Sequence, residues 1–315
     1  MGKPRFFPAV AIVDKNIGAL YPDSILQQGG NMNNALLLFW RKISSFVGWA
    51  LLPLAAGILI AALIPQPVIG LIYLSDSINP YSAESMIRQI EYARKHPEVR
   101  AVVLVLSSPG GTVADTESVY LELLKLRQTK PVVASVNQMA ASGAYYLAVG
   151  ADYIITRPTS SVGNVGVIGY LPSAPGIYES VISTGPYKLF GYPRDHYIRQ
   201  IEMVKQGFAL AIEAGRGEKL TADMETVLTG QLWLGSEAVG MGIVDRVGNQ
   251  SDAEDKAAEL ARVRNYTTLD LSTVSGYVYP TFEFYGQAPD GQQLQTPAEP
   301  GIYLLFIPPL PVTEQ

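Results

Sequence analysis

The sequence predicts an α/β fold on a parallel sheet, preceded by one membrane-spanning helix. Two apolar, β-branched runs, Ala101-Val-Val-Leu-Val-Leu106 and Val132-Val-Ala-Ser-Val136, read as strands covered on both faces. Segments of helical period lie between and after them, and strand–helix alternation of this kind builds parallel sheets. Phe46–Pro65 carries no charge. At 1.5 Å per residue it reaches the roughly 30 Å of bilayer hydrocarbon.

Residues 1–45 form an extension with Gly and Asn clusters (LQQGGNMNN) and no evident function. Residues 46–65 form the anchor, with Pro53 expected to kink it, which membrane helices tolerate. A cleaved signal peptide is the alternative. The stretch lies far from the N-terminus and is long for that role, so a retained anchor is expected. Arg41 and Lys42 precede it and the next charge is Asp76, so the N-terminus faces the cytoplasm and residues from 66 on face out. The expected localisation is a single-pass cell-membrane protein with an extracytoplasmic domain. That domain has no cysteine and must rest on its core alone. A net charge of −5, without a basic block in the outer portion, argues against a nucleic-acid partner.

Beyond the anchor, Val68–Leu74 is a short apolar run suited to a buried strand. Ser82 can cap a helix in which Met86, Ile90 and Ala93 share a face, ending at His96-Pro97. After the 101–106 strand, Ser107-Ser-Pro-Gly-Gly-Thr112 breaks the chain. A helix follows with Val119, Leu123 and Leu126 on one side. Then come the 132–136 strand, a helix over 142–150 and a strand over 153–156. A helix from 197 to about 216 carries Ile201, Val204, Phe208 and Ile212, and further helices are expected over 221–230 and 251–263. The helical pattern stops at Asn265. The domain plan is therefore an extension over 1–45, an anchor over 46–65, a folded domain over 66–264 and a tail over 265–315. The tail holds an apolar patch, Gly301-Ile-Tyr-Leu-Leu-Phe-Ile-Pro-Pro-Leu-Pro311, at an otherwise polar end. It can be a plain disordered terminus, or it can dock in an apolar groove of its own or a neighbouring subunit as an inhibitor or a cleavage site.

The chemistry is expected at two loops. Carboxyl ends of neighbouring parallel strands share an edge, and sites form there. At one end stands Asn137-Gln-Met-Ala-Ala-Ser-Gly-Ala-Tyr145, with Ser142 among small residues. Ser142 can be an ordinary helix N-cap, or a nucleophile that its neighbours leave uncovered. At the other end Gly110 and Gly111 present amides with no side chain in the way. A serine at a strand–helix junction, its following amide at Gly143 and a second amide from a glycine loop make an acyl-transfer site with an oxyanion hole. Losing one such donor typically costs about 3 kcal/mol of barrier.

A serine needs a base. His96 lies in a polar turn, and His196 has only its sequence neighbour Asp195 to orient it, so neither suits the role. A lysine at its ordinary value near 10.4 is neutral about once in 2,500 at pH 7, so it serves only when desolvated. Lys188, in Thr184-Gly-Pro-Tyr-Lys-Leu-Phe-Gly191, has apolar company, whereas Lys205 and Lys219 lie among polar residues. Lys188 is the candidate base, with an exposed turn residue as the competing reading.

Five segments in order resemble the signal peptide peptidase A family, the Ser–Lys members of the Clp–crotonase fold. They are LVLSSPGG, SVNQMAASGAYYLAVGADYIITRPTSSVGNVGVIG, STGPYKLFG, FALAIEAGRG and LTGQLWLGSEAVGMGIVDRVG, within Ile69–Leu260. The resemblance implies Ser142 as nucleophile, Lys188 as general base, and Gly111 and Gly143 as oxyanion donors. It further implies that Gly110 shapes the loop and that Thr159–Gly166 lines the site. It implies a membrane-anchored homo-oligomer in which the lysine can reach a neighbour's serine, with extended apolar peptides such as signal peptide remnants as substrates and no cofactor or metal. In that family the lysine turn usually reads GxxKD followed by Ser, whereas here Leu189 follows Lys188. Clp proteases carry a histidine downstream of their serine, and SSVGNVGVIG has none. The competing expectation is a catalytically silent membrane-anchored scaffold of the same fold.

Overall fold

A computed structural model describes residues 36, 38–43, 46–63, 66–170, 184–185, 187–188, 191–277, 284–287, 293–298 and 301–307. The chain divides into two compact units, Met1–Pro65 and Gln66–Gln315. Among the described residues of the first, one helix, Leu38–Ala61, is long and apolar enough to cross a membrane. Pro53 marks it: the turn Val47–Leu51 is π-helical and Leu52–Leu63 is α-helical. A proline lacks its N–H and crowds the carbonyl four residues back, so the turn before it widens.

The second unit begins with β1 (Val68–Leu74) and α1 (Pro80–Lys95), followed by β2 (Val99–Ser108), β3 (Gly110–Thr112) and α2 (Val113–Arg127). Next are β4 (Val132–Ala141), α3 (Gly143–Val149), β5 (Tyr153–Thr156), β6 (Ser161–Gly163) and β7 (Ile168–Tyr170). Then come α4 (Arg194–Arg216), α5 (Met224–Val227), β8 (Leu232–Leu234), α6 (Gly235–Gly240), β9 (Arg246–Val247) and α7 (Gln250–Leu260). The described chain ends with β10 (Thr267–Asp270), α8 (Ser272–Ser275), β11 (Tyr285–Gln287), β12 (Gln293–Pro297) and β13 (Gly301–Leu305).

The main sheet runs β10-β1-β2-β4-β5-β9, with every pair parallel. Alternate residues of its strands enter two cores. Ile72, Leu74, Val102, Leu104, Leu106, Val132, Ala134 and Val136 join the core that includes Met86, Ile90, Leu123 and Phe208 of α1, α2 and α4. Ile69, Leu71, Ala101, Val103, Val105 and Val133 face Ala253, Ala257 and Ala258 of α7. Side chains alternate in a strand, so a run that is apolar at every position fits only a sheet covered twice. The small alanines let α7 lie close on the second face.

Helix α1 starts earlier than its sequence suggests. Asn79, not Ser82, is the N-cap, and Pro80 takes the first helical position. Asn79 Oδ1 accepts from the Tyr81 and Ser82 amides at 3.0 Å each, and Ser82 Oγ accepts from the Asn79 amide at 2.9 Å. Ser82 is the return arm of this capping box. Replacing Asn79 by alanine should lower unfolding free energy by about 1 kcal/mol, read as a lower urea midpoint at unchanged slope.

The helix expected over 221–230 shrinks to α5, a single turn, because Thr229-Gly230 and the strand β8 follow at once. Two segments beyond residue 264 pair with the domain. β10 extends the main sheet next to β1, and β13 forms a small antiparallel sheet between β3 and β7.

Candidate active site

Strand β4 changes partners along its length. Val133–Val136 pair with β5, and after an irregularity Met139–Ala141 pair with β6. Ser142 follows at once, and α3 starts at Gly143. The backbone at Ser142 has φ 52° and ψ −117°, in a region that L-residues rarely occupy. The chain adopts it to turn from strand into helix within one residue. Ser142 N–H donates to Gly163 O at 2.7 Å, which anchors the turn to β6. Gly163 lies within the Thr159–Gly166 stretch, and Asn164 holds that stretch to the next loop through Gln231 O and Gly230 O, each at 2.7 Å.

The capping reading of Ser142 fails on geometry. Its side chain makes no cap hydrogen bond although it occupies the N-cap position. The residue is 1% exposed, and its Oγ has no hydrogen-bond partner among the described residues. A buried hydroxyl without a partner costs roughly 1–3 kcal/mol. Such a group in a native structure calls for a reason, whether catalysis, stored strain or an ordered water, and Ser77 Oγ and Gln89 Oε1 share the condition among the described residues.

Beside it lies the glycine loop. Gly110 has φ 96°, which glycine adopts without strain, and its N–H donates to Ser108 Oγ at 3.2 Å. A Cβ on Gly110 would stand 2.7 Å from Gly143 N and 2.0 Å from Leu304 O. A Cβ on Gly111 would stand 1.9 Å from Ile78 O. Both positions therefore admit only glycine, and the crowding at Gly110 brings its loop against the amide that follows Ser142. Ile78 clamps the loop from one side: its N–H donates to Gly110 O at 2.7 Å, and Thr112 N–H donates to Ile78 O at 3.0 Å. The N–H and C=O of Gly111 itself are left facing away from Ile78, toward β13. Ser142, Gly110, Gly111 and Gly143 thus lie close together.

Lys188 does not join them within one chain. It lies in an exposed turn whose backbone amide donates to Gly185 O at 3.4 Å, and its side chain makes no hydrogen bond to Ser142. His96 stacks on Tyr92 at 3.7 Å between ring centroids, and His196 on Tyr192 at 3.9 Å. Neither histidine is hydrogen-bonded to Ser142. Among the described residues no group of three His, Cys, Asp or Glu could hold a metal ion.

Sequence reasoning missed Ile78 and Leu304. Ile78 is an isolated bridge in a loop, without periodicity to announce it. Leu304 was visible only as part of an apolar patch.

The back of α3 is fixed by polar contacts. Tyr145 Oη donates to Ile243 O at 2.9 Å, and burial pushes that phenol well above its ordinary range. Arg216 at the end of α4 donates from Nε to Gly242 O at 2.8 Å and pairs through Nη1 with Asp245 at 2.7 Å. Asp245 also accepts from Ile154 N–H at 2.8 Å and from Lys219 Nζ at 2.9 Å. Burial would raise its carboxyl, but the hydrogen bonds from Arg216 and Lys219 outweigh that and hold it below the usual carboxylate value.

Residues 125–264 match the family model described as Peptidase family S49, and residues 68–161 match that described as Clp protease. The two matches overlap at Ser142, and the architecture is Clp protease-like. The chain is 34% identical over 195 residues to Protease 4 of Salmonella typhi, covering 56% of this chain and 31% of that protein. It is 30% identical over 217 residues to Protease 4 of Haemophilus influenzae, covering 64% and 35%. It is 30% identical over 210 residues to the chloroplastic serine protease SPPA of Arabidopsis thaliana, covering 61% and 31%. The chain thus spans about a third of the length of these curated relatives.

Proposed function

We propose, from the match of residues 125–264 to peptidase family S49, that this chain is a membrane-anchored serine endopeptidase with Ser142 as nucleophile. The observation that carries the proposal is the buried, unpartnered Ser142 hydroxyl beside the glycine loop. Ser142 Oγ attacks the carbonyl carbon of a peptide bond as its proton passes to a base. The N–H groups of Gly111 and Gly143 hold the oxyanion that forms. The proton then goes to the departing amine, and water releases the acyl group from the serine. These steps use side chains and backbone amides only.

Lys188 supplies the base in this scheme. Since it is exposed in its own chain, it reaches the serine of a second copy in a homo-oligomer. Ile198, Met203 and Leu210 on α4, which follows the Lys188 turn, are exposed large apolar side chains that contact between copies would cover. The helix Leu38–Ala61 anchors the assembly in the cell membrane, with the catalytic unit outside the cytoplasm. The substrates are extended apolar peptides such as signal peptide remnants.

A neutral amine as base makes kcat/KM rise with pH. Lys188→Ala should lower kcat/KM by roughly 10²–10⁴-fold and remove that rise, with folding unchanged. Mixing Lys188→Ala protein with Ser142→Ala protein should restore activity, because mixed assemblies contain one intact pair across copies. An unaltered pH profile in Lys188→Ala would remove lysine from the mechanism.

A further inference from the structure

Strand β13 runs along the glycine loop. It pairs antiparallel with β3, matching Tyr303 to Thr112, Leu304 to Gly111 and Leu305 to Gly110. On its other edge it pairs with β7, matching Gly301 to Tyr170, Ile302 to Gly169 and Tyr303 to Ile168. Phe306 N–H donates to Pro109 O at 2.7 Å. Hydrogen-bonded pairs alternate along an antiparallel ladder, so the next such pair is Leu304 with Gly111. Ile78 takes the flanking groups of the loop on the opposite side, at Gly110 O and Thr112 N, which leaves Gly111 N–H for Leu304 O. The same carbonyl oxygen stands 2.0 Å from the point where a Gly110 Cβ would be and 3.1 Å from the corresponding point on Gly143. Leu304 O therefore lies against the glycine loop on the side where α3 begins at Gly143, the residue after Ser142.

The side chains of the strand divide as an extended peptide's do. Leu304 is buried in the main core, on the side of α2 and α3 that β13 packs against. Tyr303 and Leu305 point the other way and form a separate apolar cluster with Phe284, flanked by Ile168, Tyr170, Tyr285 and Ile307. Both edges of the strand and both of its faces are occupied.

We propose that Gly301–Leu305 is a tethered, substrate-like occupant of the peptide cleft, with the Leu304 carbonyl in the oxyanion site, so that a peptide binds only when this strand leaves. The cleft then selects extended segments with a branched aliphatic residue in Leu304's place and apolar or aromatic residues on either side of it. This rests on the peptidase reading for the meaning of the cleft, while its test does not require catalysis.

The test is made on protein carrying Ser142→Ala, with a fluorescent peptide of sequence GIYLLFIP as probe. An intramolecular strand competes at an effective concentration near millimolar. The full-length protein should therefore bind the peptide at least about tenfold more weakly than a chain ending at Ala298. In case the shortened chain fails to fold, full-length protein with Leu305→Glu should show the same gain. Amide hydrogen exchange over residues 108–113 gives a direct reading: slow in the full chain, faster in either opened form, and slow again when peptide is added. Equal peptide affinity in full-length and opened proteins, with unchanged exchange at 108–113, would overturn the proposal. An opened protein that retains Ser142 and hydrolyses no peptide, while the affinity difference is still seen, would refute the peptidase reading and leave the tethered occupant standing.

Discussion

Ser142→Ala should abolish peptide hydrolysis and leave the protein as stable as before or slightly more so. Removing a serine nucleophile from a preorganised acyl-transfer site costs on the order of 10⁶ in kcat. The residual rate comes from the glycine amides and substrate binding. The stability side follows from the same geometry. The hydroxyl is buried and makes no hydrogen bond among the described residues, so its removal takes away a desolvated polar group and no contact of comparable value. The expected gain is up to about 1 kcal/mol, in the way that functional residues are often held against the optimum for folding. Turnover of an apolar peptide, with thermal unfolding of the same preparations, checks both halves. A large loss of stability would mean that the hydroxyl is structural.

The second large effect is on folding. Asp245→Ala should destabilise the domain by roughly 3–5 kcal/mol, because it strands a buried guanidinium. The side chains of Arg216 and Asp245 are 2% and 7% exposed. Together with the Tyr145 contact to Ile243 O they fix the turn that backs α3, the helix that begins next to Ser142. The effect depends on pH in a fixed direction. The Asp245 carboxyl is held below its ordinary value, so its contribution is fully present above the unfolded-state value near 3.9 and is lost as pH falls through the folded-state value. Urea titrations should show the gap between wild type and Asp245→Ala as constant near neutrality and narrowing below about pH 4. A gap that widens on acidification would contradict the assigned charge state.

The parts of this fold that could be read from the sequence share a property: a strong local signal. Ala101–Leu106 and Val132–Val136 are apolar at every position because both faces of the sheet are covered, and Ile201 to Ile212 repeat at helical spacing. What was not legible is set by contacts far apart in the chain. Strands β3, β6, β7 and β8 are three residues long, too short for any period to show, and exist only because a partner aligns them. The register of β13 on β3 depends on Ile78 and Gly111, which no local pattern links to residue 304.

The candidate site divides in the same way. Small residues around Ser142 and a double glycine are local marks of a close backbone approach, and the structure brings them together. The competing N-cap reading of Ser142 was equally consistent with its sequence neighbours, and only the backbone angles and the absent cap hydrogen bond separate the two. Lys188 has apolar neighbours in sequence but an exposed position in its own chain. Neighbours along the chain do not determine burial in a turn. A second copy has to supply the desolvation that its proposed role demands.

The central claim is that the Ser142 oxygen is a nucleophile aimed at a carbonyl held by the Gly111 and Gly143 amides. Treatment of the membrane-embedded protein with a fluorophosphonate, followed by peptide mapping, tests it most directly. The account predicts one phosphonylated residue, Ser142, and no adduct in Ser142→Ala protein. An unmodified Ser142 in folded protein whose cleft has been opened by removal of β13, together with casein left intact on long incubation, would contradict it and favour a silent scaffold at the membrane.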